Sequence, residues 1–160
     1  MSKLGKQIVE ETPKPLTGAL LSEFERNLDP KKRLTIPSAW RNALGPDAVY
    51  VMPDTEQRCL QLIPKKVWEL RLEELRKRPL SDAELNSRLS VIGENSELLE
   101  FDVQGRIRIS DRLLAYADLK ESVVMKGAIR MATIWPADKC APEAAVDTNK
   151  LREAMKALDF

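Results

Sequence analysis

The stretch LDPKKRLTIP, residues 28–37, is followed 73 residues later by a similar stretch, FDVQGRIRIS, residues 101–110. Each copy has an aspartate, Asp29 or Asp102, four residues before an arginine, and an apolar–polar–apolar run follows that arginine. Self-similarity at a fixed distance along the chain indicates that one structural unit is built twice.

The similarity of the two copies extends beyond this motif. A short helical stretch follows each motif, and two runs typical of strands come after it. These segments are 37–44, 48–52 and 58–63 in the first copy, and 110–117, 122–126 and 130–135 in the second. Pro64 or Pro136 ends the last run of each copy, where a proline stops a strand and suits the start of a helix. The unit strand–hairpin–strand–helix–strand–strand is therefore predicted twice. Pro37 suits the first position of one helix, and Ser110 or Asp111 can cap the other.

The aspartate of each motif suits the first position of a type I turn, where its side chain accepts hydrogen bonds from the turn's own backbone. The fourth position of such a turn favours a left-handed conformation, which Gly105 supplies in the second copy. In the first copy this position holds Lys32. If the first turn copies the second, Lys32 has a positive φ at a cost of roughly 1 kcal/mol. The alternative is that Pro30 gives the first hairpin a different turn, in which Lys32 has a negative φ.

The strand after each turn alternates in polarity, so its side chains divide between two faces. Leu34 and Ile36, with Ile107 and Ile109 of the second copy, are expected to point into a shared core. The opposite face and the turns carry polar side chains, and residues 31–41 hold four basic residues and no acidic one. A basic ribbon of this kind suits phosphate contact and entry into a major groove. A single copy is more typical of a solvated hairpin with a local ion pair, whereas two copies on one face of a pseudo-symmetric fold favour the two interpretations about equally. The candidate DNA-binding residues are Lys31, Lys32, Arg33, Thr35, Gln104, Arg106 and Arg108, and the candidate structural residues of the motif are Asp29, Asp102 and Gly105.

Composition limits the classes of function. The 160 residues carry a net charge of +1, so binding to a polyanion must come from local clusters of charge. Cys59 and Cys140 are isolated, and we expect two reduced thiols, no metal, no cofactor and a cytoplasmic location. With no histidine the chain offers no general base near neutral pH. Asp29 and Asp102 could pair as in an acid protease, but the arginines beside them would keep both ionised, so no catalytic site is expected.

The chain divides into five predicted segments. Between the two copies, Trp68, Leu72 and Leu75 form one apolar stripe of an amphipathic helix, Pro79 breaks that helix, and a second helix begins near Ser81. The C-terminal segment predicts a helix whose own apolar stripe, Leu151, Met155 and Leu158, needs a partner. The predicted boundaries are a flexible N-terminal arm at 1–16, a first repeat at 17–64, a helical linker at 65–95, a second repeat at 96–140 and a C-terminal helix at 141–160. The N-terminal stretch is not typical of a signal peptide, and no apolar run in the sequence is typical of a membrane span.

The arrangement resembles the MraZ family of bacterial transcription regulators, whose members carry two AbrB-like (SpoVT-AbrB) domains, each with a DxxxR motif. Here the motifs are Asp29–Arg33 and Asp102–Arg106, and the resemblance runs from about 21 to 140, including CLQLIP (59–64) and KGAIRMATIWP (126–136). The family's usual turn glycine is present in the second motif as Gly105, whereas Lys32 occupies this position in the first motif.

The resemblance implies an α+β fold in which tandem AbrB-like swapped-hairpin half-barrels form one pseudo-twofold β-barrel with flanking helices. It also implies a ring-shaped homo-oligomer that binds double-stranded DNA at direct repeats in a promoter, as a nucleoid-associated repressor of the division and cell-wall gene cluster. The alternative is a partner-binding module of the antitoxin type that shares the barrel. Such chains usually carry one copy and a disordered tail, so this alternative ranks second.

Overall fold

The computed structural model describes residues 18–140 and 146–160. The expected N-terminal arm, 1–16, lies outside the described residues. Within them the strands are β1 (Glu23–Asn27), β2 (Arg33–Thr35), β3 (Ala48–Pro53), β4 (Leu60–Ile63), β5 (Glu97–Glu100), β6 (Arg106–Arg108), β7 (Ser122–Gly127) and β8 (Ala132–Pro136). The helices are α1 (Ser38–Leu44), α2 (Lys65–Arg76), α3 (Ala83–Glu94), α4 (Asp111–Ala117) and α5 (Thr148–Ala157), with a 3-10 turn at Ala137–Lys139. The fold is therefore α+β, as the sequence predicts.

The strands form two antiparallel sheets. Six strands lie in the order β1-β7-β8-β4-β3-β5, and β2 pairs only with β6 in a separate two-stranded ribbon. By their positions in the two copies, β1, β3 and β4 correspond to β5, β7 and β8. Exchanging each strand for its counterpart gives the same six-strand order read backwards, so the topology has twofold pseudo-symmetry. The two copies are also interleaved, because β1 pairs with β7 and β5 pairs with β3.

Two details of the prediction need correction. The strands on either side of each motif turn were expected to form a hairpin, yet β1 pairs with β7 while β2 pairs with β6. Two backbone hydrogen bonds, from Asp29 N to Arg33 O at 3.0 Å and from Lys32 N to Asp29 O at 2.9 Å, close the first turn before its strands separate. Hydrogen bonding also leaves the six-stranded sheet open, with β1 and β5 as its edges, and no closed barrel occurs among the described residues.

The core lies beneath the ribbon and between the ribbon and the large sheet. Leu34 and Ile107 are 0% exposed, and Ile36 and Ile109 are also buried, so the predicted inward face of the ribbon is confirmed. Trp40 of α1 packs edge-on against Phe24 of β1, with ring centroids 5.2 Å apart. The ribbon is therefore anchored through its buried inner face, while Thr35 and Arg108 of its outer face are exposed.

The residues at the N-termini of α1, α3 and α4 explain why these helices begin where they do. Ser110 caps α4 by accepting a hydrogen bond from Leu113 N, as the sequence predicts. Pro37 precedes α1 at the N-cap position, one residue earlier than expected. Helix α3 has Asp82 as its N-cap, with the side chain accepting from Leu85 N. Helices α1 and α4 directly follow the ribbon strands β2 and β6 and so set the direction in which the chain leaves them.

Several apolar side chains remain at the surface. The α2 stripe faces α3 and β5 across a groove of about 400 Å³ that Trp68, Leu72 and Leu75 line. Leu151 of α5 and Leu158, the residue that follows this helix, are 52% and 71% exposed, so the side chains of the predicted C-terminal stripe are open to solvent. None of the helices in the described ranges is long and apolar enough to cross a membrane.

The cysteines are free thiols in the structure. Cys59 is fully buried, and this burial raises the pKa of its thiol to about 12. A thiol with so high a pKa holds almost no thiolate near neutral pH and is chemically inert. Cys59 is therefore a packing residue of the core.

Candidate nucleic-acid interface

The first motif turn has the geometry of a type I turn followed by a left-handed residue. Lys32 N donates to Asp29 O at 2.9 Å, and Asp29 N donates to Arg33 O at 3.0 Å. Lys32 has φ 65, so the prediction that it occupies the left-handed position is confirmed, and the alternative with a negative φ is wrong. A three-residue loop of this type normally places glycine there.

The second turn repeats this geometry. Gly105 N donates to Asp102 O at 2.9 Å, Asp102 N donates to Arg106 O at 2.9 Å, and Gly105 has φ 78. The two turns differ in exposure, since Lys32 is exposed whereas Gly105 is buried. Equal backbone geometry is therefore combined with unequal surroundings.

Each aspartate organises its own turn and its own arginine. In the first copy, one carboxylate oxygen of Asp29 accepts from the backbone N–H groups of Lys31 and Arg33, at 2.9 and 2.8 Å. The other oxygen accepts from Arg33 Nε at 2.6 Å. Asp102 does the same in the second copy, bonding Gln104 N and Arg106 N at 2.9 Å and Arg106 Nε at 2.8 Å.

These contacts lower the pKa of both carboxyl groups. For Asp29, burial raises the pKa. The hydrogen bonds from the backbone and side chain of Arg33, together with the charge of that arginine, lower the pKa by more, so that it lies below its ordinary value. For Asp102 the backbone hydrogen bond from Arg106 is the largest influence and outweighs the effect of burial. Both groups are thus ionised near neutral pH, as the sequence predicts from the adjacent arginines.

The ribbon brings the two motifs side by side. Arg33 lies opposite Arg108, and Thr35 lies opposite Arg106. Two hydrogen bonds extend this pairing to the turns, from Ile109 N to Lys32 O and from Ile36 N to Gly105 O, both 3.0 Å. Each turn therefore lies at one end of the ribbon, joined to the strand of the other copy.

The structure brings the seven candidate side chains to the outer face of the ribbon and to its two ends. The motif arginines are half-buried, with 31% of the Arg33 side chain and 23% of the Arg106 side chain exposed. A second carboxylate also approaches Arg106, with Nη1 at 3.8 Å from Asp29 Oδ2. The exposed members of the set are Lys31, Lys32, Thr35, Gln104 and Arg108.

Two residues of this surface were not assigned from the sequence. Val103 lies at the tip of the second turn with its side chain fully exposed, an unusual place for an apolar residue. Arg41, on α1, lies with its guanidinium over the ring of Phe101, 4.4 Å from the centroid. The basic run from 31 to 41 includes Arg41, but only the three-dimensional structure shows that α1 carries it to the turn of the other copy.

A comparison with known protein families matches most of the chain. The profile of a family described as "MraZ protein, putative antitoxin-like" matches residues 19–89 and 94–140. The chain belongs to the MraZ family. Both DxxxR turns and both ribbon strands lie within the matched residues.

Several MraZ relatives carry the name "Transcriptional regulator MraZ". One from Leuconostoc mesenteroides is 31% identical over 143 residues, which cover 88% of this chain and 99% of the relative. One from Natranaerobius thermophilus is 33% identical, over 74% of this chain and 82% of the relative. One from Thermomicrobium roseum is 30% identical, over 78% and 86%. Membership of this family supports a role in transcription regulation.

Proposed function

We propose that this chain is a sequence-specific DNA-binding transcriptional regulator, and that the outer face of the β2–β6 ribbon is its DNA-binding surface. The observation that carries the proposal is the ribbon itself, in which the outward side chains of both DxxxR motifs share one face above a buried apolar layer. The name of the relatives supports the same role.

The dimensions of the ribbon support this role. Lys32 and Gly105 lie four residues apart along the paired strands, a distance of about 13 Å at the usual rise of a strand. The major groove of B-DNA is about 12 Å wide and admits a two-stranded ribbon. A ribbon lying across the groove would bring one turn to each of the two flanking phosphate backbones.

The charges of the ribbon support contact with both phosphates and bases. Arg33 and Arg106 are fixed through Nε by their own aspartates, at 2.6 and 2.8 Å, so their terminal nitrogens project in a defined direction. An arginine whose orientation is fixed in advance loses less entropy on binding. Arg108 and Lys31 are exposed and suit phosphate contact, which supplies salt-dependent affinity.

The finer features of the proposal rest on the resemblance. We infer that the two interleaved repeats correspond to swapped-hairpin half-barrels, that copies of the chain assemble into a ring, and that the ring binds direct repeats in a promoter. Repetition of the ribbon around a ring would raise the effective concentration of each copy at a neighbouring repeat. The expected action is repression of the division and cell-wall gene cluster, by a cytoplasmic, nucleoid-associated protein.

The test is a fluorescence anisotropy titration of the full chain with labelled duplex DNA from upstream of its own gene, followed by footprinting. Arg108→Ala should weaken binding. It should also reduce the salt slope, which is the decrease of log K with the logarithm of the salt concentration, by about 0.9, the value for one phosphate contact. Arg71→Ala is the matched control, because it removes the same charge from an exposed arginine on α2 and should leave binding unchanged. Equal effects of the two variants, or no binding by the parent chain, would refute the assignment.

A second candidate function is partner binding of the antitoxin type. The exposed stripe of α5, with Leu151, Met155 and Leu158 at the surface, favours it, since an amphipathic helix commonly docks in a partner's groove. Removal of residues 146–160 separates the two functions. DNA binding through the ribbon should survive this truncation, whereas partner binding through α5 should not.

A further inference from the structure

The buried glycine of the second turn has an unusual neighbour. A Cβ atom built on Gly105 would overlap Nη1 of Arg41, the terminal nitrogen of a side chain that comes from α1 of the other copy. The guanidinium of Arg41 thus fills the space that a side chain at position 105 would need. This explains why Gly105 is buried although it lies in a turn.

The guanidinium of Arg41 is held by packing and not by an ion pair. Its Cζ lies 4.4 Å from the centroid of the Phe101 ring, and its Nε is buried without a hydrogen-bond partner. The ion pairs found within the described ranges do not include Arg41. A cation stacked on an aromatic ring keeps its charge and its terminal donors for another group.

The first turn supplies its positive charge in a different way. The counterpart of Arg41, at the same offset as the motifs, is Leu114, which carries no charge. The counterpart of Gly105 is Lys32, which carries its own exposed cation on a strained backbone. Each end of the ribbon therefore has one cation at its left-handed residue. At the first turn this cation is the side chain of Lys32 itself, and at the second turn it is the guanidinium of Arg41, which lies beside Gly105.

We propose that Arg41 is a DNA-contacting residue, the phosphate-binding cation of the second turn that takes the part Lys32 plays in the first. This inference rests on the proposed function of the ribbon. The chemistry fits a phosphate, because a guanidinium offers planar donors that match phosphate oxygens. Arg41 lies at the ribbon end that would face one flanking backbone, while Lys32 lies at the other.

The first test compares Arg41→Leu and Arg41→Lys in salt titrations of binding to the upstream duplex. Arg41→Leu copies the residue of the other repeat and should keep the fold. It should weaken binding roughly tenfold, as expected for one charged hydrogen bond, and lower the salt slope by about 0.9. Arg41→Lys keeps the charge and should keep the slope. A purely structural role would move the melting temperature of Arg41→Leu and leave its salt slope equal to that of the parent, and this result would overturn the inference.

The second test exploits the crowding at Gly105. Gly105→Ala should displace the guanidinium and lower the salt slope in the parent chain, but it should not lower the slope further when combined with Arg41→Leu. The double variant Arg41→Leu, Gly105→Lys gives the second turn the residue pair of the first and should recover the slope of the parent. Additive loss in the first combination, or no recovery in the second, would contradict the proposed geometry.

The outcomes separate this inference from the proposed function. If the parent chain binds no duplex, the proposed function is refuted, and the inference with it. If the parent binds, Arg108→Ala weakens binding and Arg41→Leu retains the parental slope, the ribbon remains the DNA-binding surface and only the role of Arg41 is refuted. Circular dichroism melting of every variant shows whether a loss of binding reflects loss of the fold.

Discussion

Replacement of Lys32 by glycine should make the protein more stable and weaken its binding to DNA. Lys32 has φ 65, in the left-handed region, where a residue with a Cβ pays about 1–2 kcal/mol. Glycine relieves this strain, but its greater freedom in the unfolded chain lowers the free energy of unfolding by about 0.4–1 kcal/mol. The two hydrogen bonds of Lys32, to Asp29 O at 2.9 Å and from Ile109 N at 3.0 Å, involve only its backbone and remain.

The difference between these two terms is roughly 0–1.6 kcal/mol, and we expect a net gain in the free energy of unfolding near the middle of this range, about 0.5–1 kcal/mol, for Lys32→Gly. For a chain of this size, 1 kcal/mol shifts the melting temperature by about 2–4 °C, so the variant should melt about 1–4 °C higher. Binding to the upstream duplex should weaken, with a salt slope smaller by about 0.9, because one cation of the proposed DNA-binding surface is lost. Stability and affinity should thus move in opposite directions.

Two controls separate strain from charge. Lys32→Ala removes the charge but keeps a Cβ in the left-handed region, so it should lose DNA affinity without gaining stability. Lys31→Gly acts at the preceding position, which has a negative φ, and should lower stability through the unfolded chain. A lower melting temperature for Lys32→Gly would refute the strain argument, and an unchanged salt slope would refute the role of its charge.

Two further predictions concern acid stability and assembly. The lowered pKa of Asp29 and Asp102 means that the folded state binds protons less readily than the unfolded chain, so their contribution is present at neutral pH and lost as pH falls below about 4. In urea titrations, the stability difference between the parent and Asp102→Asn should shrink from pH 7 to pH 3, and a constant difference would contradict this linkage. In light scattering at micromolar concentration the chain should be an oligomer, because the groove beside Trp68 leaves apolar surface uncovered, and a monomer would refute the ring.

Much of the local structure was predictable because its causes are local. The capping of α4 by Ser110, the turns set by Asp29 and Asp102, and the alternation that buries Leu34 each depend on residues a few positions apart. The duplication then raised the reliability of each local signal, because every feature of one copy could be compared with its counterpart. Even the strained φ of Lys32 followed from its alignment with Gly105.

The pairing of the strands was not predictable in the same way. A turn between two strand-like runs normally indicates a hairpin, but here β1 pairs with β7 and β2 with β6. Each turn closes with two backbone hydrogen bonds, and its two strands then separate, because each pairs with a strand of the other copy. Such a choice depends on contacts between residues more than 70 positions apart, and neither periodicity nor turn chemistry records them.

The position of Arg41 is the clearest consequence of this interleaving. From the sequence alone, Arg41 is one more basic residue on a short helix, whereas in the structure it fills the space beside Gly105 and lies on Phe101. Because the strands of the two copies cross, a helix of the first copy completes the turn of the second. The pseudo-symmetric scaffold thus presents a cation at both ends, and of the two left-handed turn residues, Lys32 and Gly105, Lys32 alone carries a Cβ at a positive φ. Stability alone would favour glycine at both turns, so the lysine in the first turn is best explained by the absence of an arginine at Leu114 that could supply the charge from outside.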